Sequence, residues 1–231
     1  MKYLKIVFFL CIIMASINFN IALAKSGGKI VYSPVRIDFK PDSDGYELIE
    51  KKVTYSGVYI MNLDGTGKGK LASSCQASSG GISDVRFSPD EKKVSFIKEK
   101  SLWVINIDGT KKKNIGILNK SWKKDILYKW SPDSKKIAFM GDGILYIANT
   151  DGSKLIKAQS YGDNMQYEWS GDSKRIACNN EGDSQIFIRD SRNGNIIKTF
   201  NIDLAPNRQD EKEIISKMYF SHDNSILAVS T

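Results

Sequence analysis

"WSPDSKKIAFM", residues 130–140, decides the fold, because the chain writes nearly the same phrase three more times. "FSPDEKKVSFI" stands at 87–97, "WSGDSKRIACN" at 169–179 and "FSHDNSILAVS" at 220–230. A second phrase recurs between them: "VYIMNLDGT" at 58–66, "LWVINIDGT" at 102–110, "LYIANTDGS" at 145–153 and "IFIRDSRNG" at 186–194. Its glycines, Gly65, Gly109, Gly152 and Gly194, are 44, 43 and 42 residues apart.

A period just above forty residues with β patterning implies the blades of a propeller. In Val85-Arg86-Phe87 and Tyr167-Glu168-Trp169 apolar and polar residues alternate, as a half-buried strand requires. Ser-Pro-Asp-Ser then forms a tight turn, in which Pro132 fixes φ and Asp133 bonds its own backbone. A second strand, Lys136 to Phe139, and a third, Leu145 to Ala148, follow. Asp-Gly supplies a positive-φ hairpin turn into a fourth. Such a sheet is apolar on both faces, so blades must stack, and Phe87, Trp130, Trp169 and Phe220 read as packing between them. The expected fold is all-β, a propeller-like array of about four to five four-stranded antiparallel blades that need not be complete. The blades are placed at about 28–72, 83–115, 126–158 and 166–200, with a partial one at 216–231. The first lacks its first strand in this reading.

The remaining segment is "MKYLKIVFFLCIIMASINFNIALAKS". Lys2 and Lys5, an apolar run from Ile6 to Ile17 and Ala22-Leu23-Ala24 form the pattern of an export signal, residues 1–24, cut after Ala24. The chain carries 34 basic and 26 acidic residues, a net +8, and removal of the signal leaves +6. For an exported chain, periplasmic or extracellular, that balance reads as solubility or attraction to anionic surfaces rather than nucleic-acid binding. No membrane span is expected after cleavage. Cys11 leaves with the signal, and Cys75 and Cys178 either pair or remain thiols.

"FSPDEKKVSFI…LWVINIDGT" and "WSPDSKKIAFM…ILYIANTDGS" resemble the WD-repeat-like β-propeller repeat of the TolB family, found also in propeller domains of prolyl oligopeptidase and dipeptidyl peptidase type enzymes. The resemblance covers about residues 28–231 and concerns the propeller repeats alone. TolB-like proteins place an α/β domain before a six-bladed propeller, whereas here "KSGG", 25–28, alone separates the cleavage site from "KIVYSP". The peptidases of the family act through a hydrolase domain built on G-x-S-x-G. No such motif occurs, and the one histidine, His222, stands where other copies have Pro132 or Gly171.

No cofactor or metal is expected. "PDSDGYE", 41–47, lacks the spacing of a calcium loop, zinc needs more His and Cys, and "GTGKGK", 65–70, lies in a blade turn rather than at a helix start. Function is expected in loops on the rigid blades. Two connections exceed what the repeat needs, 35–57 and 201–213. Tyr46 and Tyr55 in the first, with Trp122, Tyr128 and Tyr161 near blade-to-blade loops, are the candidate partner contacts. The expected function is a non-enzymatic, exported interaction module for a protein or peptide of the cell envelope. The alternative is an orphaned propeller domain of a prolyl oligopeptidase-like or dipeptidyl peptidase-like enzyme. Three arrangements stay open: a piece of a longer propeller, a ring of four blades, or a stack that self-associates through its end blades.

Overall fold

The computed structural model describes residues 20–23, 28–41, 48–55, 57–73, 81–118, 128–160, 166–179, 185–202, 215 and 217–230. All of its regular elements are strands, so the chain is all-β among the described residues. No helix there is long and apolar enough to cross a membrane.

The first sheet comprises β1 (Asn20–Leu23) and β2 (Lys29–Ser33), followed after an inserted hairpin, β3 (Val35–Pro41) and β4 (Leu48–Tyr55), by β5 (Gly57–Asn62) and β6 (Gly69–Ser73). Its order is β1-β2-β5-β6, and the hairpin β3-β4 is a two-stranded sheet of its own. The second sheet takes β7 (Ile82–Phe87), β8 (Lys93–Lys98), β9 (Ser101–Asn106) and β10 (Lys113–Ile117) in chain order. The third takes β11 (Tyr128–Trp130), β12 (Lys136–Gly141), β13 (Ile144–Asn149) and β14 (Leu155–Ser160). The fourth takes β15 (Gln166–Trp169), β16 (Arg175–Asn179), β17 (Gln185–Asp190) and β18 (Ile196–Asn201). A two-stranded sheet, β19 (Lys217–Phe220) with β20 (Leu227–Ser230), ends the series. The paired strands are antiparallel throughout, as the repeat phrases require.

One strand stands where the sequence reading has none. Asn20–Leu23 pairs with β2, Asn20 opposite Ser33 and Leu23 opposite Ile30, and supplies the first strand of the first sheet. Those four residues also lie in the segment read as an export signal. Within the long connection 35–57, β3 and β4 pair with one another, their register shifting between Asp38 and Phe39.

The chain divides into two compact units, residues 1–112 and 113–231. In the first, Val31, Val58, Ile60 and Ala72 of one sheet meet Ile82, Val85, Val94 and Phe96 of the next, with Phe87 at the margin. In the second, Ala138, Met140, Ile147 and Ile156 meet Tyr167, Trp169, Ile176 and Cys178. A further layer joins Ala177, Ile186 and Ile188 to Met218, with Phe220 and Val229 packed against it. The core is therefore a set of apolar layers between sheets, and burying a side chain of this size contributes about 1.5–3 kcal/mol before entropy. Close approach sets the choice of glycine at position 116, where a Cβ would run into the Phe139 ring.

Candidate interaction surface

The repeated Ser-x-Asp phrase closes the turn between the first and second strands of a sheet. Ser131 Oγ donates to Asp133 Oδ1 at 2.7 Å and accepts the Lys136 N–H at 2.9 Å, while Asp133 Oδ1 accepts the Lys135 N–H at 3.0 Å. The same bonds recur at Ser88 with Asp90 and Lys93, at Ser170 with Asp172 and Arg175, and at Ser221 with Asp223 and Ile226. The fourth turn residue has left-handed φ in every copy: Glu91 at 58°, Ser134 at 61°, Ser173 at 62° and Asn224 at 61°. That conformation disfavours β-branched side chains, and none stands there.

The carboxylates of Asp133 and Asp172 are tuned by their own neighbours. At Asp133 burial pushes the pKa up, but the Ser131 hydroxyl, the Lys135 N–H and two lysine charges together hold it below the ordinary 3.8. Asp172 is lowered by the balance of the same forces. Each serine oxygen thus serves a carboxylate and a backbone amide rather than an imidazole, which is the wiring of a structural lock.

The second turn, before the fourth strand, works differently from the sequence expectation. Of the Asp-Gly pair only the glycine takes a positive φ, 84° at Gly109, and the preceding Asp108 does not. The Gly109 N–H donates to Asn106 O at 2.9 Å, and Asp108 Oδ1 accepts both the Thr110 N–H and its hydroxyl. One left-handed residue after an ordinary turn suffices here, so Asp serves as a side-chain acceptor instead.

Polar groups also stand on the first strands. In the second unit Lys129 Nζ reaches Glu168 Oε2 at 2.5 Å and Tyr167 O at 2.8 Å, and lies 5.4 Å from the Tyr167 ring centroid. Trp169 Nε1 donates to Lys129 O at 3.1 Å, so the same corner joins two sheets through both charge and indole. In the first unit Arg86 forks onto Asp84, 2.6 and 2.9 Å, across the bulge in β7 where Asp84 has φ 49°. Bulges and positive-φ residues are places where a strand re-aims its side chains. Sequence reading missed both pairs. The signal was present in the register, since Arg86, Lys129 and Glu168 all immediately precede the phrase's aromatic residue.

The sequence-predicted contacts are scattered. Tyr46, Trp122 and Tyr161 lie outside the described residues, as does Cys75. Tyr55 ends β4, opposite Val35. Tyr128 is fully buried and belongs to the core. It stands at the register position of Val85, Tyr167 and Met218, all buried, which corrects its reading as a surface contact. Cys178 is a free, buried thiol whose burial pushes its pKa up to about 12. His222 is exposed in its turn. Among the described residues no group of three His, Cys, Asp or Glu stands close enough to hold a metal.

No family model matches the sequence, and no curated protein does. Solved structures do. Kluyvelomyces marxianus Hsv2 is similar over 91% of this chain and 67% of its own, at 10% identity and a TM-score of 0.53. A chain of the Mitotic Checkpoint Complex is similar over 91% of this chain and 55% of its own, at 11% identity and a TM-score of 0.50. The fold is a β-propeller-like array of blades. The β-propeller domain of the Trilobed protease from Pyrococcus furiosus also aligns, at 19% identity, 73% and 53% coverage and a TM-score of 0.47. At such identities the likeness carries the fold and leaves activity to the site.

Proposed function

We propose that this chain is a non-enzymatic, exported propeller-like module, of TolB-like kinship, that binds a protein or peptide of the cell envelope through the hairpin β3-β4. The observation that carries it is the hairpin itself. It interrupts the first sheet between β2 and β5, yet among the described residues it pairs only within itself. A two-stranded ribbon is at best marginally stable in water, so a long insertion of this kind is well explained by a partner that covers it. Its register sets Val35 opposite Tyr55 and Ile37 opposite Val53, whereas Arg36 faces Thr54 and Asp38 faces Lys52.

The non-enzymatic part is supported by the serine of each Ser-x-Asp phrase, which is committed to a turn carboxylate and a backbone amide. The test is site-specific photo-crosslinking in an envelope extract. A photoreactive residue replacing Tyr55 should give a discrete adduct, lost when residues 36–54 are replaced by a short Gly-Ser link, while one replacing Asn193 should not. Equal adducts from both positions, or one from Asn193 alone, would contradict the hairpin as the contact.

A further inference from the structure

Within residues 113–231 the outer strands β10, β14 and β18 lie side by side at their turn ends. A Cβ on Gly152, in the turn before β14, would stand 3.9 Å from Lys113 Cδ of β10. Lys154 Nζ donates to Arg192 O at 2.8 Å, in the turn before β18. A Cβ on Gly194 would stand 2.9 Å from Ile156 Cγ2 of β14. Each turn thus rests against the outer strand beside it.

Two kinds of side chain are presented there. Leu155, Ile196 and Ile197 are exposed by 53%, 47% and 56%. Lys113, Lys157 and Lys198 are exposed on β10, β14 and β18, and no Asp or Glu occurs in those strands. The carboxylates of the intervening turns are committed locally: Asp151 Oδ1 accepts the Ser153 N–H, and Asp190 is chelated by Arg192. Lysine alone would be the ordinary guard of a sheet edge. Exposed aliphatic side chains beside it are what that guard leaves unexplained.

We propose that this band docks the chain on an anionic phospholipid surface, the lysines facing headgroups and Leu155, Ile196 and Ile197 entering the interface. Charge complementarity selects an anionic occupant, and geometry selects a surface. Leu155 and Ile197 stand on different blades, so a peptide added along one strand edge meets one of them, whereas a plane meets both. The inference goes beyond the hairpin's binding role and does not depend on it.

The test is co-sedimentation of the full chain with vesicles of phosphatidylcholine alone and with about a third phosphatidylglycerol. Binding to the anionic vesicles is expected, with roughly a tenfold or larger loss in Leu155→Asn/Ile197→Asn. Lys157→Gln should cost about fivefold, and about 1 M salt should strip the complex. Inorganic phosphate at the same charge concentration should not compete, which separates a lipid surface from a free phosphate ligand. Unchanged melting temperatures establish that the variants fold. Equal binding to neutral vesicles, indifference to both substitutions, displacement by phosphate, or capture by poly-glutamate with vesicles left unbound would each overturn the proposal.

Discussion

Two turns of the second unit carry the same wiring in different surroundings. Ser170 and Ser221 each donate to the carboxylate two residues on, at 2.6 Å, and each accepts the amide five residues on, at 2.9 Å. Around them burial diverges. Ser170 is fully buried and Trp169 is 4% exposed, whereas Phe220 is half-buried and Ile226 is 65% exposed. β16 is buried along most of its length, and β20 alternates between half-buried and exposed. The comparison teaches that the turn is specified locally, by Ser, Asp and one left-handed residue, while the stability of each copy is set by what stacks against its sheet.

The largest test of that distinction is Trp169→Ala. It removes a buried indole and its bond to Lys129 O, and should cost about 3–5 kcal/mol in denaturant unfolding. Phe220→Ala, at the equivalent position, should cost less than half as much. Next come the serines. Ser170→Ala strands the part-buried Arg175 amide and should cost about 1–3 kcal/mol, while Ser221→Ala, where water replaces the hydroxyl, should cost about 0.5–1.5 kcal/mol. Equal losses at the two serines would break the comparison.

Acid titration gives a smaller effect. The Ser221 hydroxyl, then the Ser225 amide and hydroxyl, hold Asp223 down to about 2 from the ordinary 3.8. A depressed carboxylate favours the folded state above its unfolded pKa and loses that contribution as pH falls through its folded one. Asp190, held to about 2 chiefly by Arg192, follows the same sign. Melting temperature should therefore keep falling between about pH 4 and pH 2, less steeply in Asp223→Asn. The smallest effect is at Cys178. Its buried thiol should stay unmodified by an alkylating reagent near pH 8 until the chain unfolds.

Much of the fold was legible because the turns use local chemistry at fixed spacing. Ser131, Asp133 and Gly152 bond within a few residues of themselves, so the phrase alone locates the strands around them. β1 was not legible, because Asn20–Leu23 adjoins an apolar run whose composition reads as an export segment. The hairpin β3-β4 was hidden by the register shift between Asp38 and Phe39, which breaks the alternation that marks a strand pair. Of the candidate surface less was visible. Lys129 and Glu168 meet across 39 residues through the packing of two sheets, and Tyr128 looked like a contact until its register with Val85 and Tyr167 placed it in the core.

The repeated Ser-x-Asp phrase is a backbone lock common to all four copies. Residue-resolved hydrogen exchange tests it most directly, by following the amides of Lys93, Lys136, Arg175 and Ile226, each bonded to its serine Oγ. Strong protection is expected at the first three, weaker but measurable protection at Ile226, and selective loss at Arg175 in Ser170→Ala. Exchange at unprotected rates at Lys93, Lys136 and Arg175, while neighbouring strand amides stay slow, would contradict it.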